Sequence, residues 1–206
     1  MSGETKPRYV VFAGINGAGK STLYRSGLWA RRESDLGAPR INPDEILVAN
    51  GDDPTDIRAQ MRAGREAIKL INEYFDRGIS FNQETTLSGR SCLRDIKRAH
   101  DLGYHVVMCY VGVDSPEVAN ERIAHRVALG GHAIDPQEVV SRYCKSINHL
   151  LEAAPLCDEL YLFDNTQRLT VVAAFGHRSA THSAYSTQCN WAAGLLERLD
   201  CTFGSK

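Results

Sequence analysis

Eight consecutive residues near the start of the chain carry its most specific chemical signal. Gly14-Ile15-Asn16-Gly17-Ala18-Gly19-Lys20-Ser21 fits the spacing G-x-x-x-x-G-K-[ST] in full. A short apolar run, Tyr9-Val10-Val11-Phe12-Ala13, precedes it and a helical pattern follows, which is the context such a loop needs to bind phosphate. Glycines let the backbone curl until successive N–H groups face one point. The helix N-terminus adds its positive end. Lys20 can then reach the β- and γ-phosphates of a nucleoside triphosphate, and Ser21 can hold Mg²⁺. Gly14, Asn16, Gly17, Ala18, Gly19, Lys20, Ser21 and Thr22 are the expected nucleotide-binding residues. The competing reading is a glycine turn with no ligand.

Acidic residues follow two further strand candidates. Asp44, in Asn42-Pro43-Asp44-Glu45, can accept a proton from an attacking hydroxyl or hold Mg²⁺ through water. Its alternative is to cap the next helix. Glu45 reads as a solvated first-turn charge. Glu84, with Thr85 beside it, stands where a Walker-B-type acid would meet the metal's water or a substrate hydroxyl. Asn82-Gln83 interrupts the apolar run before it, so a solvated edge charge is the other reading. Arg90 either meets a substrate phosphate or simply opens a helix.

Arg122 and Arg126 stand at i, i+4 and share a helix face. Gly130-Gly131-His132-Ala133-Ile134-Asp135 then turns, and Arg142 and Lys145 lie on the helix beyond. Two such helices form an expected lid over about 122–142. Its closure would exclude water and neutralise charge on a transferring phosphoryl group. Pairing of these arginines with Glu121 or Glu138 on solvated faces is the alternative. His132 reads as a loop histidine, and no other histidine has metal-ligand spacing.

The elements that must position these residues follow from hydrophobic period. Strands are expected at 8–14, 41–44, 79–86, 104–113, 160–164 and 169–175. Helices are expected from the phosphate loop to about 32, at 56–77, 90–102, 116–129, 135–154 and 188–199, with 33–40 as a loop. Ile57, Met61, Ile68, Ile71 and Phe75 recur at helical spacing in the second of these. Ser115 is expected to cap the fourth, and Asp135 with Glu138 to open the fifth as a capping box. Trp191, Leu195 and Leu199 are expected to face inward in the last. Alternating strands and helices imply an α/β fold, a parallel sheet with helices on both faces and ligands at the carboxyl ends of the strands.

The chain has 206 residues, the length of one domain, with no repeat or linker. A 43% apolar content excludes a disordered tail. A net charge of −1 argues against a general nucleic-acid binder. Of the 24 basic residues, 18 are arginine and 6 lysine, which suits phosphate contact or reflects codon bias. Cys92, Cys109, Cys144, Cys157, Cys189 and Cys201 fit no zinc pattern, and several read as buried thiols of a reducing cytosol. No apolar run nears the ~20 residues of a membrane span, and the first residues lack a signal core, so a cytoplasmic location is expected.

In chain order the motifs are the phosphate loop, Ile41-Asn42-Pro43-Asp44-Glu45, Ala63-Gly64-Arg65 and Glu84-Thr85-Thr86-Leu87-Ser88-Gly89-Arg90. Gly103-Tyr104, Val111-Gly112-Val113, Glu121-Arg122 with Arg126-Val127, Gly130-Gly131-His132 and Phe163-Asp164-Asn165 follow. This order resembles the short zeta-toxin family of P-loop kinases over about residues 8–166 and fades beyond. The resemblance implies a three-layer P-loop kinase fold with strand order 2-3-1-4-5 and a helical lid. It implies an ATP–Mg²⁺ phosphotransferase in which Asp44 is the base, Lys20 binds phosphate and Arg122 matches a lid arginine. The Gly130-to-Pro136 turn differs from the family's, so Arg126 and Arg142 are both candidates for the second lid arginine. The longer zeta toxins phosphorylate UDP-N-acetylglucosamine on a sugar hydroxyl, which implies a small polar acceptor such as a sugar nucleotide. An antitoxin protein is the implied partner. Two other readings share the loop: a nucleotide-dependent ATPase or switch acting through a protein, and a polynucleotide 5′-kinase.

Overall fold

The computed structural model describes residues 6–131, 133–176 and 179–204; His132 and His177 lie outside the described residues. Strand β1 (Arg8–Ala13) is buried at every position and lies inside the sheet. On one side it pairs with β3 (Phe81–Thr85), and β3 pairs with the short β2 (Arg40–Ile41). On the other side it pairs with β4 (His105–Gly112), followed by β5 (Glu159–Asp164), β6 (Thr170–Gly176) and β7 (Ser179–His182). The order β2-β3-β1-β4-β5 matches the expected 2-3-1-4-5.

The first five strands are parallel, but β6 runs antiparallel to β5 and to β7, so the sheet is mixed rather than purely parallel. Sequence reasoning missed β7. Its four residues, Ser-Ala-Thr-His, are all exposed, so no buried alternation marks them; hydrogen bonding to β6 makes the strand.

Helices cover both faces. Tyr9 and Val11 of β1 face a core built with α4 (Ile57–Asp76), α5 (Arg90–Asp101), α7 (Pro136–Ala153) and α8 (Ala193–Gly204). Val10 and Phe12 face α1 (Lys20–Ser26) and α6 (Pro116–Ala128). Helix α1 stops sooner than the expected position 32. Gly27 takes a left-handed conformation at its C-terminus, and Trp29 folds back to donate its indole N–H to the Tyr24 carbonyl at 3.0 Å. A short helix α2 (Glu33–Leu36) occupies part of the expected loop, and α3 (Pro43–Ala49) follows β2. Ser115 stands at the cap position of α6 without a capping side-chain bond. Asp135 caps α7 on the Gln137 amide at 2.9 Å, whereas Glu138 turns to Arg142 instead of closing a capping box. Helix α8 begins after two 3₁₀ turns (Ala184–Gln188 and Asn190–Ala192) and buries Leu195 and Leu199. No helix among the described residues is long and apolar enough to cross a membrane.

Helix α4 buries a stripe that its large apolar residues did not mark. Ala59, Ala63, Ala67, Ile71 and Phe75 face the core, while Ile57, Met61 and Ile68 are exposed. Alanines at every fourth position let α4 lie close to α3, a packing reason that hydrophobic period alone does not carry. Polar β3 is nevertheless central. Asn82 and Gln83 are buried, with the Gln83 carbonyl accepting from the Tyr9 hydroxyl and Asn82 donating to the Ala38 carbonyl at 3.4 Å.

The end of the sheet away from the phosphate loop is closed by charge. Arg8 pairs with Asp35 at 2.9 Å, and His105 meets Glu159 at 2.5 Å. The His105 contact holds the Glu159 carboxyl down to about 2 against burial, which raises it. In the unfolded chain that group titrates near 4.5, so its stabilisation is complete above that value and is lost as pH falls through about 2. Glu159→Gln should therefore flatten the acid limb of stability in this window, measured by urea titration at stepped pH. A second test addresses α4: Ile68→Gln should change stability by less than about 0.5 kcal/mol, whereas Ala67→Gln should cost about 2 kcal/mol.

Candidate active site

The phosphate loop sits where β1 ends, wedged against β4 and the turn after β5. Gly14 has φ +135°, and a Cβ there would lie 2.2 Å from the Val111 carbonyl oxygen. Gly19 has φ +103°, and a Cβ there would lie 2.1 Å from the Asn165 side-chain nitrogen. Both positions therefore require glycine for conformation and for space. Asn165 Nδ2 donates to the Ala18 carbonyl at 2.8 Å, which ties the loop to the end of β5.

Lys20 is buried at the first position of α1. Its Nζ donates to the Ile15 carbonyl at 3.1 Å and lies 3.7 Å from the Glu84 carboxylate. Burial lowers its pKa first, Glu84 and Asp44 oppose that, and Arg126 reinforces it. A cation stripped of water in this way gains most from a phosphate entering beside it.

Glu84 is the hub of the site. Its Oε2 accepts from Ser21 Oγ at 3.1 Å, from Asn42 Nδ2 at 3.2 Å and from Arg40 Nη2. Sequence reasoning missed Arg40, a lone arginine at the end of an expected loop. In the fold its side chain is shielded from solvent, pairs with Glu45 at 2.6 Å and lies 3.8 Å from the centre of the Tyr24 ring. Ser21 and Glu84 together suit a Mg²⁺ ion that shares its remaining ligands with water and phosphate. Asn42 caps α3 by accepting from the Asp44 amide at 3.0 Å. That removes the capping reading for Asp44, whose side chain lines the site instead.

Two cavities meet here. One, of about 320 Å³, is lined by Asn16, Gly17, Gly19, Lys20, Ser21, Thr22, Asp44, Glu84, Arg122, Arg126 and Asn165. The other, of about 630 Å³, lies between α3, the start of α4 and the α6–α7 turn, with Leu47, Val48, Gln60, Gly131, Ile134 and Arg142 among its lining. Asn16, Asp44 and Arg126 line both.

The lid arginines divide. Arg122 donates to the backbone carbonyls of Gly17 at 3.4 Å, Asn165 at 2.5 Å and Thr166 at 2.9 Å. Arg142 donates to Asn16 Oδ1 at 2.6 Å and pairs with Glu138. Arg126 lies at the junction of the cavities. Two expected substrate contacts are not brought to either cavity. Thr85 spends its hydroxyl on the Leu87 amide at 3.0 Å, and Arg90 is exposed beside Glu152 at 3.2 Å.

The family model named zeta toxin matches residues 1–188. The chain belongs to the zeta toxin family. This member is 36% identical to an uncharacterized protein of Haemophilus influenzae over 137 residues, 65% of this chain and 91% of the other. Among solved structures, that of the PezAT chromosomal toxin–antitoxin system of Streptococcus pneumoniae matches with TM-score 0.56 and 17% identity, covering 98% of this chain and 91% of the other. A structure of AvrRxo1-ORF1:-ORF2 with ATP matches with TM-score 0.65 and 17% identity, covering 91% of this chain and 64% of the other. At these identities the two structures establish that the zeta toxin chain shares their fold.

Proposed function

We propose that this zeta toxin family member transfers the γ-phosphoryl group of ATP to a hydroxyl of a small polar acceptor, with Mg²⁺. The observation that carries the reading is the pair of adjoining cavities with Asp44 and Arg126 at their junction. The smaller takes the triphosphate against the loop; the larger takes the acceptor. A simple ATPase or switch has no use for a second cavity of this size, which favours the kinase. The net charge of −1 weighs against a polynucleotide substrate.

In the proposed reaction Lys20 and the loop amides bind the β- and γ-phosphates. Ser21 and Glu84 would hold Mg²⁺, which when bound would neutralise charge on the transferring group. Asp44 orients the acceptor hydroxyl and takes its proton as the acceptor oxygen bonds to phosphorus. The bond from phosphorus to the bridging oxygen breaks, and ADP departs. Arg126 faces the charge that spreads over the transferring group. Arg122, bonded to three carbonyls, keeps the loop in shape. The resemblance to longer zeta toxins nominates a sugar nucleotide such as UDP-N-acetylglucosamine as acceptor, and the likeness to a toxin–antitoxin system nominates an antitoxin as protein partner.

Incubation with labelled ATP, Mg²⁺ and a metabolite extract should give a new labelled small molecule. Release of labelled phosphate alone would favour the ATPase reading. Lys20→Ala and Asp44→Ala should each lower transfer by about a thousandfold or more. Asp44→Ala should keep ATP affinity, measured by calorimetry, within about threefold, the scale of a lost contact outside the phosphate cradle. Full transfer by Asp44→Ala would remove the base assignment.

A further inference from the structure

The segment after Asn165 bears on the phosphate loop through one buried carboxylate. Asp164, the last residue of β5, is 1% exposed. A buried charge persists only where donors surround it. Asp164 accepts from the Thr166 amide at 3.1 Å and hydroxyl at 2.6 Å, from the Tyr185 hydroxyl at 3.0 Å and from the Trp191 indole N–H at 3.0 Å. Two of these four donors therefore come from the 3₁₀ turns that precede α8.

The next two residues hold the site. Asn165 bonds the Ala18 carbonyl and fills the space beside Gly19, and its own amide donates to the Gly112 carbonyl at 2.9 Å. The Asn165 and Thr166 carbonyls carry Arg122, which also reaches Gly17. Trp191 lies so close over the end of β4 that a Cβ on Gly112 would fall 2.3 Å from its ring. The hydrogen bond to Asp164 pushes the Tyr185 phenol up to about 12, so it remains a donor at neutral pH.

We infer that Tyr185 and Trp191 are positioning residues of the nucleotide site, fixing through Asp164 the turn that holds the phosphate loop and Arg122. The inference rests on the reading that this loop binds ATP. Neither residue touches the nucleotide; each sets the geometry of what does. The loop's amides must converge on phosphate oxygens, and a turn free to shift would let Asn165 and Arg122 pull the loop out of shape.

The test is calorimetry with Mg²⁺–ATP on the full chain. Trp191→Phe keeps an aromatic ring and deletes the indole N–H; Tyr185→Phe deletes one hydroxyl. Each should weaken ATP binding about three- to tenfold. Phe203→Leu, which loosens the buried stacking of Phe203 on Phe175 without touching Asp164, is the control for packing loss. It should lower Tm at least as far as Trp191→Phe and leave ATP affinity unchanged. Chain with Trp29→Phe retains Trp191 as its one tryptophan. Its emission should change saturably over the concentration range that calorimetry gives for ATP. The inference is overturned if Trp191→Phe and Tyr185→Phe bind ATP as the wild type does, or if affinity merely follows Tm across all three variants. Wild-type protein that gives no heat with Mg²⁺–ATP would instead overturn the ATP reading itself, and this inference with it.

Discussion

The structure depends on a close approach of backbone at the carboxyl end of β1. The loop from Gly14 to Ser21 must turn its amides inward while it passes the Val111 carbonyl and the Asn165 side chain with no room for a Cβ. Everything adjacent to it exists to hold that shape. Strand β4 supplies one wall, the turn after β5 supplies another, and Arg122 ties three carbonyls across the gap. A nest of converging amides is a fixed positive field, and fixing it beforehand is what spares the cost of reorganisation when an anion binds.

Charge around the nest is balanced locally rather than over the whole surface. Lys20, Arg40 and Arg126 stand against Glu84 and Asp44, and the chain as a whole is near neutrality. Glu84 is spoken for by Ser21, Asn42 and Arg40, whereas Asp44 projects into both cavities. Two carboxylates with such different surroundings suit different tasks, in the proposed reaction metal holding for Glu84 and proton acceptance for Asp44. Arg40 makes the difference, since its stacking on Tyr24 anchors the Glu84 partner to the helix that begins at Lys20.

Much of the fold was legible because its signals are local. The G-x-x-x-x-G-K-S run, the strand before it, the alternation of strands with helices and the two helices on either side of the Gly130-Gly131 turn each lie within a window of the chain. The misses share a cause. In the α4 stripe, Ala59 and Ala63 pack against Leu47 of α3 and Ala67 joins the sheet core, while Ile57, Met61 and Ile68 face outward. Buried Asn82 and Gln83 look wrong for a central strand until Gln83 is seen to accept from Tyr9 and the Asn82 amide to donate to Ala38, which leaves only the Asn82 Oδ1 without a partner on this strand. Thr85 and Arg90 flank the Glu84 motif in sequence, yet one bonds its own turn and the other faces solvent.

The chain's own spacing is enough to specify the chemistry on offer: a G-x-x-x-x-G-K-S loop, acids at strand ends and arginines on two helices joined by a glycine turn. These signals are local, because the glycines that permit the loop's conformation and the helix it opens are neighbours in the chain. Long-range packing selects the acid that Ser21 meets, separates the arginine that supports backbone from the one that lines the cavities, and brings residues 185 and 191 to Asp164. Those contacts join residues 63, 44, 21 and 27 positions apart. Packing brings such residues together, and no local period in the chain encodes it.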